Sequence, residues 1–189
     1  AAEVADKAIE NGLFYVGAFR DEESSLVKAR VDLYLNGDGS VLLVIPSMTK
    51  TMGYRLLSRM ADDVWLMTSE TSGNTDLSGL RLDRMLPGCE FFQLLRYHQD
   101  RLESYPAEVN PIMPETLIRD LRDHDQMRGR RAVELGMARW VSERQDCYTA
   151  TWRGAFKTVR QVLTVGSRLD EANRLAESYK SGSGASADL

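Results

Sequence analysis

The sequence predicts an α+β fold: an N-terminal antiparallel β-meander of about five strands, followed by and covered by C-terminal helices. Three observations carry that expectation. Residues 31–45 hold a hairpin signal, period-two segments lie on either side of it, and after Glu90 the apolar period lengthens from two to about three and a half.

In Val31 to Ile45, VDLYLNGDGSVLLVI, two alternating apolar runs flank Asn36-Gly37-Asp38-Gly39. Glycine takes positive φ without a Cβ clash, and Asn and Asp tolerate it better than most residues, so the chain reverses in the sense that strand twist prefers. The same residues, NGDGSV, match the third to eighth positions of a calcium-binding EF-hand loop. That loop needs an acidic ligand at its first position and a bidentate Glu at its twelfth, where this chain has Tyr34 and Ile45. Without those carboxylates the hairpin reading prevails, and no metal is expected.

The elements follow in order. Val4, Ala8 and Ile9 have helical spacing in Ala2 to Glu10, and Asn11-Gly12 is a helix stop. Leu13 to Phe19 reads as a strand, Asp21 to Ser25 as a charged turn, and Leu26 to Leu35 and Val41 to Ile45 as the arms of the central hairpin, closed by the donor-less Pro46. Tyr54 to Arg59 and Val64 to Thr68 form a second hairpin around Met60 to Asp63. Ser69 to Ser78 is a polar, turn-rich loop, and Leu80 to Leu86 adds an edge strand before Pro87-Gly88.

Beyond Glu90, Phe91, Leu94, Leu95, His98 and Leu102 share a helical stripe that stops before Pro106. Glu115 to Asp125 reads as helix with Leu117, Ile118 and Leu121 inward, Gly129 punctuates, and Ala132 to Val141 carries a further helical face. In Tyr148 to Leu163, the side chains of Trp152, Ala155, Phe156, Val159, Val162 and Leu163 recur at the spacing of a core-facing stripe. After Val165-Gly166-Ser167, Arg168 to Tyr179 repeats the pattern with Leu169, Ala172, Leu175, Ala176 and Tyr179. That last helix is expected either to close the core weakly or to serve a protein partner or a homodimer. The helices are expected to cover one face of the sheet.

This describes a single α+β domain over residues 1–180, with a sheet-forming half at 13–86, a helical half at 90–180 and a flexible Gly/Ser tail at 181–189. With 43% hydrophobic and 28% charged residues in 189, the chain has the composition of a globular domain. Its longest uninterrupted apolar run, Val41 to Ile45, is far short of the ~20 residues a membrane span requires. The start lacks a signal-peptide pattern and begins with Ala, and the expectation is a piece processed or excised from a larger or membrane-attached protein. Cys89 and Cys147 lack metal-ligand spacing and read as buried or idle thiols, with a bridge between them left open.

Signatures of chemistry are absent: no G-x-G-x-x-G, P-loop, H-E-x-x-H, G-x-S-x-G or paired-cysteine motif occurs, so no catalytic residue or cofactor is assigned. His98 reads as a hydrogen-bonded residue at the core edge. In Arg122-Asp123-His124-Asp125, successive helical side chains point about 100° apart, so the run reads as a solvated face. From Arg119 to Arg168, eleven Lys and Arg stand against six Asp and Glu, a balance of +5 that leaves −9 elsewhere in a chain of net −4. Arg128, Arg130 and Arg131 are the candidate anion-binding residues, for phosphate, lipid headgroup or nucleic acid, although Asp120, Asp123, Asp125 and Glu134 neutralise much of their field. The leading functional expectation is a non-catalytic binding or structural domain. An arginine-based anion binder and an enzyme with an unrecognised carboxylate site are the alternatives, and the sequence leans away from the enzyme.

Overall fold

The computed structural model describes residues 2–20, 30–46, 53–71, 76–142, 147–163 and 165–181, with side chains described except at 20, 147, 161–163 and 165–167. The turn expected at Asp21 to Ser25, the start of the strand expected at Leu26 and the tail at 182–189 lie outside the described residues.

Strands β1 (Leu13–Arg20), β2 (Arg30–Asn36), β3 (Leu42–Pro46), β4 (Arg55–Arg59), β5 (Trp65–Ser69) and β6 (Arg81–Met85) form one sheet in sequence order. The first five are antiparallel, as the meander requires. The edge strand β6 is the exception, pairing parallel to β5 from Trp65↔Arg81 to Ser69↔Met85. A parallel neighbour needs a crossover instead of a tight turn. The crossover's exit is shaped by Asp76, whose carboxylate accepts from the Gly79 amide at 2.8 Å and the Arg81 amide at 3.1 Å.

At the tip of the central hairpin, the Asn36 carboxamide accepts from the Val41 amide at 2.8 Å and the Asp38 carboxylate from the Ser40 amide at 2.9 Å. Gly39 supplies the positive φ, +73°. It also lets the chain near Ile112 come close: the Ile112 amide donates to the Gly39 carbonyl at 2.8 Å, and a Cβ on Gly39 would stand 2.5 Å from the Ile112 carbonyl oxygen.

The helices cover both faces of the sheet, not one. On one face α1 (Ala2–Glu10), α2 (Phe91–Ser104) and α5 (Val165–Lys180) bury Ala8, Leu43, Leu56, Phe91, Leu94 and Ala176. On the other, the Ile112 segment and the start of α3 (Leu117–Glu134) cover Leu33, Leu35, Leu42 and Trp65. Leu33, Tyr34 and Leu35 are therefore buried in succession, the pattern of a strand enclosed on two sides. Cys89 is a buried free thiol under α5, its sulfur 3.7 Å from the Ala176 carbonyl; the side chain of Cys147 lies outside the described residues.

Four expectations for the C-terminal half are corrected. Gly129 does not interrupt the chain but sits inside α3, where the Tyr148 ring occupies the space a Cβ would need. The helical face expected up to Val141 stops at Leu135, because Gly136 turns the chain at φ +67° and the following Arg139-Trp140-Val141 run is extended. Residues there form a two-stranded hairpin of β7 (Ala138–Ser142) and β8 (Cys147–Ala150). Finally, α4 (Trp152–Leu163) points the described part of its apolar stripe outward, whereas α5 delivers Ala172 and Ala176 to the core. Ile118, expected inward, is also exposed. Among the described residues, no helix is long and apolar enough to cross a membrane.

Candidate functional site

Four groups of side chains are candidate sites. The first surrounds His98, which α2 projects onto β4 and β5 and which is fully buried. The Ser58 hydroxyl donates to the Ser40 carbonyl, so its oxygen accepts from His98 Nε2–H at 2.9 Å. On the other side of the ring, Thr68 donates to Nδ1 at 2.8 Å, and Arg101 donates to the Thr68 oxygen at 2.9 Å. The donors thus run in one direction, from Arg101 through Thr68 and His98 to Ser58. This leaves His98 neutral, and burial followed by the Arg101 charge pushes its pKa down to about 3. Here Nε2 carries a proton towards Ser58 instead of taking one from it, the opposite of what a serine nucleophile needs. The expected core-edge histidine is a structural strut linking α2 to the sheet.

His124, expected on a solvated face, is instead buried against Trp65 with ring centroids 4.9 Å apart, while Asp123 and Asp125 are exposed. Trp65 supplies an apolar wall that the sequence did not announce. Neither ring nitrogen has a hydrogen-bond partner among the described residues. Burial, with the nearby Arg128, Arg81 and Arg59 charges, pushes the pKa down to about 3 against the opposing pull of Asp76. The adjoining pocket, lined by Arg59, Asp120, Asp123 and Met127 as well, holds about 40 Å³. No group of three or more metal-ligating side chains converges among the described residues.

The arginine cluster does not assemble into a common patch. Arg128 turns inward, donating to Asp76 at 3.1 Å and to Asp125 at 2.9 Å. Burial works against the charged forms of this pair, but Ser78, Arg128 and the Arg81 amide hold the Asp76 carboxyl below its ordinary value, and the two carboxylates raise Arg128. Arg131 is on the surface, paired with Glu134 at 3.0 Å, and Arg130 is exposed about 200° around the helix from Arg128.

The fourth group is the outer face of α4. Thr151 fixes how this helix begins: its hydroxyl donates to the Gly136 carbonyl at 2.7 Å and accepts from the Gly154 amide at 3.2 Å, an N-cap tied to the turn before β7. Gly154 then lies directly on the Met137 carbonyl, where a Cβ could not fit. With Gly154 inward, Trp152 and Phe156 fall on the opposite side of the helix. They are 83% and 66% exposed, and Val159 is 52% exposed. At the scale of 150–250 Å² per aromatic side chain, they present about 400 Å² of apolar surface, the size at which a patch on a monomer is often functional. The spacing legible in the sequence located this stripe but assigned it to the core. No family model matches the chain, and no curated protein or solved structure compared with it is similar.

Proposed function

We propose that this chain is a non-catalytic binding domain that docks another macromolecule on the Trp152–Phe156–Val159 face of α4. The observation that carries this reading is the orientation of α4. A cap and a glycine contact fix the helix in a phase that turns its largest apolar side chains to solvent. Left uncovered, such a face carries an aggregation cost, which a docking role accounts for. The other candidates support it by contrast, since the Ser58–His98 pair is buried and directed the wrong way for nucleophilic chemistry, and Arg128 is engaged by Asp76 and Asp125.

The test is a photo-crosslinking side chain placed at position 156 and, as control, at exposed position 122 on α3, in the cells that make the protein. Discrete adducts from 156 that are absent from 122 and vanish with Trp152→Ser are expected. Identical, diffuse adducts from both positions would overturn the reading.

A further inference from the structure

We infer that the occupant of this face is an amphipathic α-helix of another protein, whose apolar stripe is edged by a row of acidic side chains. This deepens the docking reading and rests on it. The exposed apolar positions of α4, Trp152, Ala155, Phe156 and Val159, stand at i, i+3, i+4 and i+7, the spacing by which one helix receives another. From Trp152 to Val159 the described ridge is about 12 Å long, a little over two turns of a partner.

Charge narrows the occupant further. Arg153 and Lys157 stand at i and i+4 along one flank of the stripe, and α4 contains no acidic residue. With Arg160 counted, the helix carries +3 in a chain of net −4, which leaves −7 on the rest. The opposite flank begins with Ala155, small enough for close helix approach. A partner helix that fits would place its acidic row against the cationic flank and its apolar stripe against Trp152 and Phe156, as charges beside a helical seam set partner choice.

Other occupants fit less well. In an antiparallel pairing of α4 with a second copy, the flank that holds Arg153 and Lys157 would face the same flank of the other copy, cations against cations. A helix lying in an anionic bilayer keeps its polar side towards water, whereas the side of α4 opposite its stripe is held against the domain by Gly154.

The experiment titrates the whole chain with two designed helical peptides that share a Leu/Ala stripe and carry either Glu or Lys along one flank. Binding is read by the blue shift of Trp152 emission and by sedimentation. The Glu-flanked peptide is expected to bind about fivefold more tightly than the Lys-flanked one, as two rim ion pairs would give, and to lose that preference at high salt. A variant carrying Arg153→Glu and Lys157→Glu should invert the preference while keeping the far-UV circular dichroism. Equal binding of both peptides would overturn the acidic-helix inference and leave the docking reading standing. So would a Trp152 shift produced only by phosphatidylcholine vesicles with roughly one-third phosphatidylserine, or self-association that Trp152→Ser abolishes. No response to peptides, vesicles or concentration would overturn both.

Discussion

His98 and His124 are both buried and neutral, yet they are held differently. His98 has a partner at each ring nitrogen, whereas His124 has none among the described residues. In each, the folded pKa is lowered from 6.5 to about 3, so between those values the unfolded chain binds the extra protons. The stabilisation is complete above pH 6.5, declines as pH falls and is gone below about 3, with a limiting slope of about 1.4 kcal/mol per pH unit for each histidine. His124→Leu is therefore expected to raise stability at pH 7 by about 1 kcal/mol, since it replaces an unpartnered imidazole beside Trp65 with an apolar group. It should also reduce the loss between pH 6.5 and pH 4.5. Urea unfolding at the two pH values measures both effects, and a loss of stability in the variant at pH 7 would contradict the environment described for the ring.

At the scale of elements, α4 and α5 share one apolar periodicity and have opposite fates. Trp152→Ser with Phe156→Ser is expected to move the thermal midpoint by no more than about 2 °C, because exposed positions away from structural features change stability by about 0.5 kcal/mol or less. Buried aromatic residues cost about 3–5 kcal/mol each on truncation, so a drop of that order would place the stripe inside. Deleting residues 168–189 should instead abolish cooperative unfolding, since it removes Ala172 and Ala176 from the core and Tyr179, whose hydroxyl donates to Asp100 at 2.6 Å. Gly154→Ala should destabilise by about 1–3 kcal/mol, clash with the Met137 carbonyl outweighing the roughly 1 kcal/mol gain in helix propensity, as measured by denaturant unfolding. These residues also explain what the sequence could convey. Periodicity shows that a helix has an apolar face but not what covers it; that depends on Gly154 meeting Met137 and on Ala176 fitting over Cys89. Local chemistry was more legible: Asn36, Asp38 and Gly39 specify their own turn, and Gly136 marks the end of α3 in retrospect. The burial of His124 was hidden because Trp65 lies 59 residues earlier in the chain.

Across the whole molecule, the two apolar clusters lie on opposite faces of the same sheet, so neither can open without exposing strands that the other covers. The β7–β8 hairpin and α4 stand outside that arrangement. In the described side chains from Ala138 to Arg160, only Ala138 and Gly154 are buried, and the attachments include the Tyr148 ring over Gly129 and the Gly154 seat on Met137. Free energies of local opening follow buried apolar contact, and binding elements are drawn from the low end of that range. Native-state hydrogen exchange is therefore expected to show the amides of β2 to β5 opening only with global unfolding, and those of β7, β8 and α4 opening well below it as one group. Adding a ligand that occupies α4 should raise protection in that group first, because binding stabilises the closed form by mass action. Equal protection of α4 and β3 in the free protein would contradict a peripheral docking unit and tie the orientation of Trp152 and Phe156 to the stability of the whole fold.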